Sequence, residues 1–183
     1  PIVKTLNTTS MTYSLGNLFN VPVFETPVGF RFVAPMMQEH NALIGGEESG
    51  GYGFRGHVLE RDGVLANLFF LDLVARTKKL PSELLAYLYG KVGTHHYHRK
   101  DVVFPEEKRQ AIIQRLKQNV PGEIDGVKVK QFDTVDGFRY TLEDGAWLLI
   151  RFSGTEPLLR IYAEDGSPVR VEKLLAAVKE LAG

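Results

Sequence analysis

The sequence predicts an α/β domain built on a parallel sheet, followed by a smaller α+β domain built on antiparallel strands. Two observations carry this. Up to about Gly46 the chain alternates strand-like and helix-like runs, strand first, the layout of parallel sheets. From Val127 onward the pattern changes to short strands joined by turn residues, closed by one amphipathic helix. The 183 residues are 44% hydrophobic and 24% charged, which is enough apolar material for one large core or two small ones.

Taken in order, Ile2–Thr5 reads as the first strand. Asn7-Thr8-Thr9-Ser10 then caps a helix carrying Met11, Leu15, Leu18 and Phe19. Val21–Phe24 is a second strand, and Glu25-Thr26-Pro27-Val28-Gly29-Phe30-Arg31 leads into a helix running through Met36 and Met37. Leu43-Ile44 is a third strand ending at Gly45-Gly46. Apolar residues at Val64, Leu65, Leu68, Leu71, Leu73 and Val74 predict a mostly buried helix over 62–78. Pro81-Ser82-Glu83 starts another helix, with Gly90 as its stop. Lys100–Pro105 is the expected linker, which sets domain limits of 1–104 and 105–183. Beyond it come a charged amphipathic helix over 106–119 and strands at Val127–Phe132, Phe138–Tyr140, Trp147–Phe152 and Leu158–Ala163. The last helix has Val171, Leu174, Leu175, Val178 and Leu181 on one face.

Lys+Arg and Asp+Glu both number 22, so the formal net charge is zero. A general nucleic-acid or anionic-membrane binder is normally basic, so neither partner is expected. The sequence has no Cys, which fits a reducing cytoplasm and leaves no thiolate chemistry. No apolar run approaches the ~20 residues of a membrane-spanning helix. The chain opens in a strand-like run without an initiator Met, as a fragment or processed chain would.

Three stretches carry candidate chemistry. Gly45-Gly46-Glu47-Glu48-Ser49-Gly50-Gly51 follows a parallel strand, where ligand loops lie in such sheets. Its carboxylates and hydroxyl suit sugar hydroxyls; a solvated surface loop and a metal site are the other readings. His95, His96 and His98 lie in an extended context. Alternation is expected to set His96 apart from the other two, against a shared metal. The third stretch is Arg151-Phe152-Ser153-Gly154-Thr155-Glu156-Pro157-Leu158-Leu159-Arg160, held between two strands. Arg151 and Arg160 bring planar forks that match phosphate oxygens, Ser153 and Thr155 bring hydroxyls, and Gly154 permits close backbone approach. An ordinary hairpin loop is the competing reading.

The pattern Arg-x-Ser-Gly-Thr-Glu-Pro-x-x-Arg closely resembles the phosphate-binding loop in the last domain of the α-D-phosphohexomutases, the phosphoglucomutase/phosphomannomutase superfamily. Gly46-Glu47-Glu48-Ser49-Gly50 is similar to the sugar-recognition loop in the third domain of the same family. Residues 2–9 and 25–31 look like that domain's opening segments. The resemblance implies a three-layer α/β/α domain 3 with a mainly parallel sheet, lacking its first helix. An α+β domain 4 with a roughly four-stranded antiparallel sheet would follow. It implies that Glu47, Ser49, Gly29 and Arg61 serve the sugar, and that Arg151, Ser153, Gly154, Thr155 and Arg160 hold phosphate. Gly-Glu-Glu-Ser looks more like the glucose- or mannose-phosphate mutases than the glucosamine-phosphate branch.

The implied reaction is phosphoryl transfer between the C1 and C6 oxygens of a hexose phosphate, with a hexose bisphosphate as activator and intermediate. In the family a phosphoserine loop of the type Thr-Ala-Ser-His-Asn-Pro does the covalent work in the first domain. A loop of the type Asp-Gly-Asp-Gly-Asp-Arg holds Mg²⁺ in the second. Neither motif occurs in this sequence. The chain is therefore expected to recognise phosphosugar, with domains 1 and 2 supplied in cis or in trans, and to be inactive alone. The alternatives are a non-catalytic phosphosugar-binding module and a half that works only with a partner chain.

Overall fold

The computed structural model describes residues 1–154 and 156–183, which form two compact units, Pro1–Gly93 and Thr94–Gly183. In the first, β1 (Ile2–Thr5), α1 (Met11–Phe19), β2 (Val23–Thr26), α2 (Phe30–Glu39) and β3 (Ile44–Gly46) alternate as expected. Two crossover helices allow parallel pairing, and β1 runs parallel to both β2 and β3. A short β4 (Tyr52–Phe54) folds back antiparallel on β3, giving the order β2-β1-β3-β4. The core is Val3 of β1 under Phe30, Val33 and Met37 of α2, closed by Ala42. That spacing on α2 is one helical face, so the sequence pattern itself places the helix on the sheet.

Two helices complete the unit, α3 (Gly63–Thr77) and α4 (Pro81–Val92). Asp62 caps α3 by accepting the Leu65 N–H at 2.9 Å. The expectation of a mostly buried α3 is corrected here: it has no buried residue, and Val64 and Leu71 are 74% and 62% exposed. The reason is a shortage of cover. Its apolar side chains are spread around the helix rather than on one stripe, and it meets the sheet mainly at β4, only three residues long. Phe69 finds Phe54 there, ring centres 4.8 Å apart.

The second unit has β5 (His96–Val103), a short 3₁₀ turn at Glu106–Lys108, α5 (Arg109–Gln118), β6 (Glu123–Ile124), β7 (Val127–Asp133), β8 (Phe138–Leu142), β9 (Trp147–Phe152), β10 (Leu158–Asp165) and α6 (Pro168–Ala182). All neighbours pair antiparallel in the order β5-β10-β9-β8-β7-β6. Alternate residues Leu148 and Ile150 of β9, and Leu159, Ile161 and Ala163 of β10, face Val171, Leu174, Leu175 and Val178 of α6.

The sheet therefore holds two strands beyond the expected β7 to β10. The expected linker at 100–105 is largely strand: β5 pairs with β10 from Asp165↔His96 to Leu158↔Val103. The division accordingly falls between Gly93 and Thr94 rather than after residue 104. β5 reads as linker because it is an edge strand, largely exposed and charged, a composition that protects an open edge.

Candidate phosphosugar-binding site

The loop after β3 is closed by its own backbone. The Glu47 N–H donates to the Gly51 carbonyl, and the Gly50 N–H donates to the Glu47 carbonyl, both at 3.0 Å. This turn folds the Glu47 side chain inward, leaving the residue 6% exposed, while Ser49 stays at the surface. Arg61, just before α3, crosses the loop and donates from Nη1 to Glu47 Oε2 at 3.4 Å. Gly51 leaves room for that crossing, since a Cβ there would lie 2.4 Å from Arg61 Cδ. Arg61 is also held by Glu60 and lies over the Phe30 ring at 5.8 Å. In return the Glu60 pKa is lowered, chiefly by the Arg61 backbone N–H and then by its side chain.

Sequence-predicted Glu47 and Arg61 thus come together, although Arg61 remains 52% exposed at its side chain. Gly29 opens α2 with φ +129°, a conformation that needs glycine, and delivers Phe30 beneath Arg61. Glu48 turns elsewhere and accepts from Asn7 Nδ2 at 3.5 Å. Sequence reasoning passed over two buried polar residues beside this loop. Lys4, 3% exposed, bridges Glu25 at 3.0 Å and donates to the Thr8 carbonyl at 2.9 Å. Asn7 is buried with its Oδ1 unbonded among the described residues. Their only signal was position: both belong to the run that leaves the carboxyl end of a central strand.

In the second unit the strand register does the placing. Arg151 of β9 stands directly opposite Arg160 of β10, so both project from one face of the sheet, away from α6. Directly opposed like charges destabilise a strand pair. Carboxylates moderate the charge: Arg151 Nε donates to Asp136 Oδ1 at 3.0 Å, and Arg160 pairs with Glu156 at 3.5 Å. Arg160 Nε is nevertheless buried without a hydrogen-bond partner among the described residues. Asp101 of β5, opposite Arg160 on its other side, has a pKa held down chiefly by its bonds from Arg99, which outweigh desolvation, with Arg160 adding to the effect.

Ser153 is 2% exposed, its N–H donating to the Leu158 carbonyl at 2.8 Å, which closes the base of the loop. Gly154 lies exposed with open space at its Cβ position, and Thr155 lies outside the described residues. Arg109, at the start of α5, reaches the Ser153 carbonyl at 3.4 Å and lies over Phe152 at 5.0 Å. Neither Arg109 nor Asp136 was singled out from sequence, because each reaches the loop only through the fold.

The histidines do not form a metal site among the described residues. His95 precedes β5 and pairs with buried Glu164 at 3.0 Å, whereas His98 pairs with Glu172 of α6 at 2.6 Å. The expected separation of His96 from the other two is corrected: His96 and His98, two apart in β5, share a face, and His95 is the one set apart. Among the described residues no group of three or more His, Asp or Glu converges in a way that would hold a metal.

Comparison with known proteins places both units in one family. Residues 1–92 match the α/β/α domain III of phosphoglucomutase/phosphomannomutase, and residues 102–181 match the C-terminal domain of the same enzymes. The chain belongs to the phosphoglucomutase/phosphomannomutase family. A phosphoglucomutase/phosphomannomutase of Thermococcus kodakarensis is 33% identical over 174 residues, covering 95% of this chain and 36% of the relative. A phosphoglucosamine mutase of Methanococcus maripaludis is 29% identical, over 95% of this chain and 37% of the relative. A crystal structure from Thermus thermophilus, provisionally assigned as a phosphomannomutase, superposes with a TM-score of 0.77 at 32% identity, covering 98% of this chain and 36% of that one. The chain thus spans little more than a third of the length of the curated relatives it matches.

Proposed function

We propose that this chain is the sugar- and phosphate-recognition half of a cytoplasmic mutase that interconverts hexose 1-phosphate and hexose 6-phosphate, with glucose or mannose as the sugar. The observation that carries the reading is the opposition of Arg151 and Arg160 across β9 and β10. Two permanent cations on facing positions cost stability, and a dianion between them removes that cost. Arg151, Ser153, Gly154, Thr155 and Arg160 would hold the phosphate that is not reacting. Glu47, as an ionised acceptor braced by Arg61, would grip ring hydroxyls together with Ser49 and Gly29. Binding energy taken from these remote groups can orient the reacting end.

The transfer step itself would belong to domains 1 and 2, in cis or in trans, with a phosphoserine, magnesium and a hexose bisphosphate. The apolar side chains left exposed on α3 favour this reading over that of a self-sufficient binding module. The test is a coupled assay with glucose 1-phosphate, Mg²⁺ and a bisphosphate primer. The chain alone is expected to show no turnover, and activity is expected when the preceding domains of a relative are added. Turnover by the rigorously purified chain alone would contradict the division of labour.

A further inference from the structure

The β7–β8 turn is pressed against the strand that carries Arg151. Gly137 adopts φ +111°, and a Cβ on it would lie 2.7 Å from the Ile150 carbonyl and 3.2 Å from Arg151 Cβ. Both the backbone conformation and the close approach therefore demand glycine. The residue before it, Asp136, is delivered to Arg151 Nε at 3.0 Å, in a contact where neither side chain is more than 23% exposed. Asp136 and Arg151 line the same cavity of about 330 Å³ with Lys117 and Thr134. An acidic side chain in this place is costly for an anion site unless it does something for the arginine.

We propose that Asp136 is a positioning residue for the phosphate site, reached through the Gly137 turn, and that it sets the plane in which Arg151 offers its guanidinium to a phosphosugar. A bond at Nε uses one of the five N–H donors of arginine and stops the fork rotating about its stem. The ordering cost of a long side chain is then met before the ligand arrives. The inference rests on the phosphate reading of the Arg151 loop and deepens it.

If charge alone mattered, removing the Asp136 carboxylate would strengthen the binding of any nearby anion. Positioning requires the reverse. The 183-residue chain, with the variants Asp136→Ala, Asp136→Asn and Arg151→Ala, is titrated with glucose 1-phosphate and with inorganic phosphate at low salt. The arginine Nε–H resonances are followed by NMR. Asp136→Ala is expected to weaken binding of both about tenfold, the scale of one charge-assisted contact, and to shift the Arg151 Nε–H resonance toward that of a solvated arginine. Asp136→Asn, which keeps an acceptor, is expected to lose less and to keep part of the shift.

Equal or tighter binding by Asp136→Ala, with Arg151→Ala still defective, overturns the positioning role and leaves the phosphate reading standing. Undiminished binding by Arg151→Ala overturns both. Should Asp136→Ala fail to fold, Asp136→Asn decides: weaker binding supports the role, and unchanged or tighter binding overturns it.

Discussion

The two units spend similar lengths of chain very differently. The second packs α6 and α5 on a six-stranded sheet whose buried side chains form one continuous cluster, and its candidate phosphate loop grows directly out of two of those strands. The first keeps a small core between β1 and α2, while neither α3 nor α4 has a buried residue. Its candidate sugar loop is held instead by two backbone hydrogen bonds and the Arg61 bridge. Rigid strands fix two cations against each other; a short closed turn fixes one carboxylate. On the proposed function, phosphate recognition would rest on register, and sugar recognition on local hydrogen bonding.

The sharpest way to break this contrast is to cut into each apolar face. Leu174→Ala removes a fully buried side chain from α6 and is expected to cost about 2–5 kcal/mol, read as a lower melting temperature of the second unit. Leu68→Ala, on the exposed face of α3, is expected to stay within about 0.5 kcal/mol. Equal losses would mean that α3 is packed in solution in a way the contrast denies. Next in size, Arg151→Ala is expected to weaken phosphosugar binding by about 1.5–3 kcal/mol with the fold intact, because a charge-assisted hydrogen bond disappears. Calorimetric titration measures it, and unchanged affinity would remove Arg151 from the site.

A smaller effect separates the units by acid titration. Asp62 has a lowered pKa, first through the Leu65 N–H and then through His57, and Asp101 is lowered chiefly by Arg99. For a carboxyl with a depressed folded pKa, the stabilisation is present above its unfolded value, about 3.9 for Asp, and fades as pH falls through the folded value. Asp62→Asn is expected to flatten the acid limb of the first unit alone, and Asp101→Asn that of the second alone. Hydrogen exchange resolved by residue and followed below about pH 4 tests the assignment.

How much of this was legible follows from what each feature depends on. Local periodicity exposes α2 and α6, because one face of each carries the core. It misleads at α3, where apolar composition is not matched by surface to cover it, and at β5, where an edge strand wears the charges of a linker. The loops around Glu47 and Ser153 are visible as compact motifs of hydroxyl, glycine and charge. Asp136, Arg109, Lys4 and Asn7 are not, since each reaches its place through tertiary approach rather than spacing. The opposition of Arg151 and Arg160 was implicit in a hairpin of known length, but only the register shows it and makes the pair a candidate site.

The central claim is that phosphate is held by the strand-borne arginines and not by the sugar loop. Titrating inorganic phosphate into the wild-type chain, Arg151→Ala and Glu47→Gln tests it most directly. The account predicts that Arg151→Ala loses phosphate affinity while Glu47→Gln keeps it, the effect of Glu47→Gln appearing only in discrimination between epimeric hexose phosphates by the assembled enzyme. Loss of inorganic phosphate binding in Glu47→Gln, with Arg151→Ala unaffected, would contradict it.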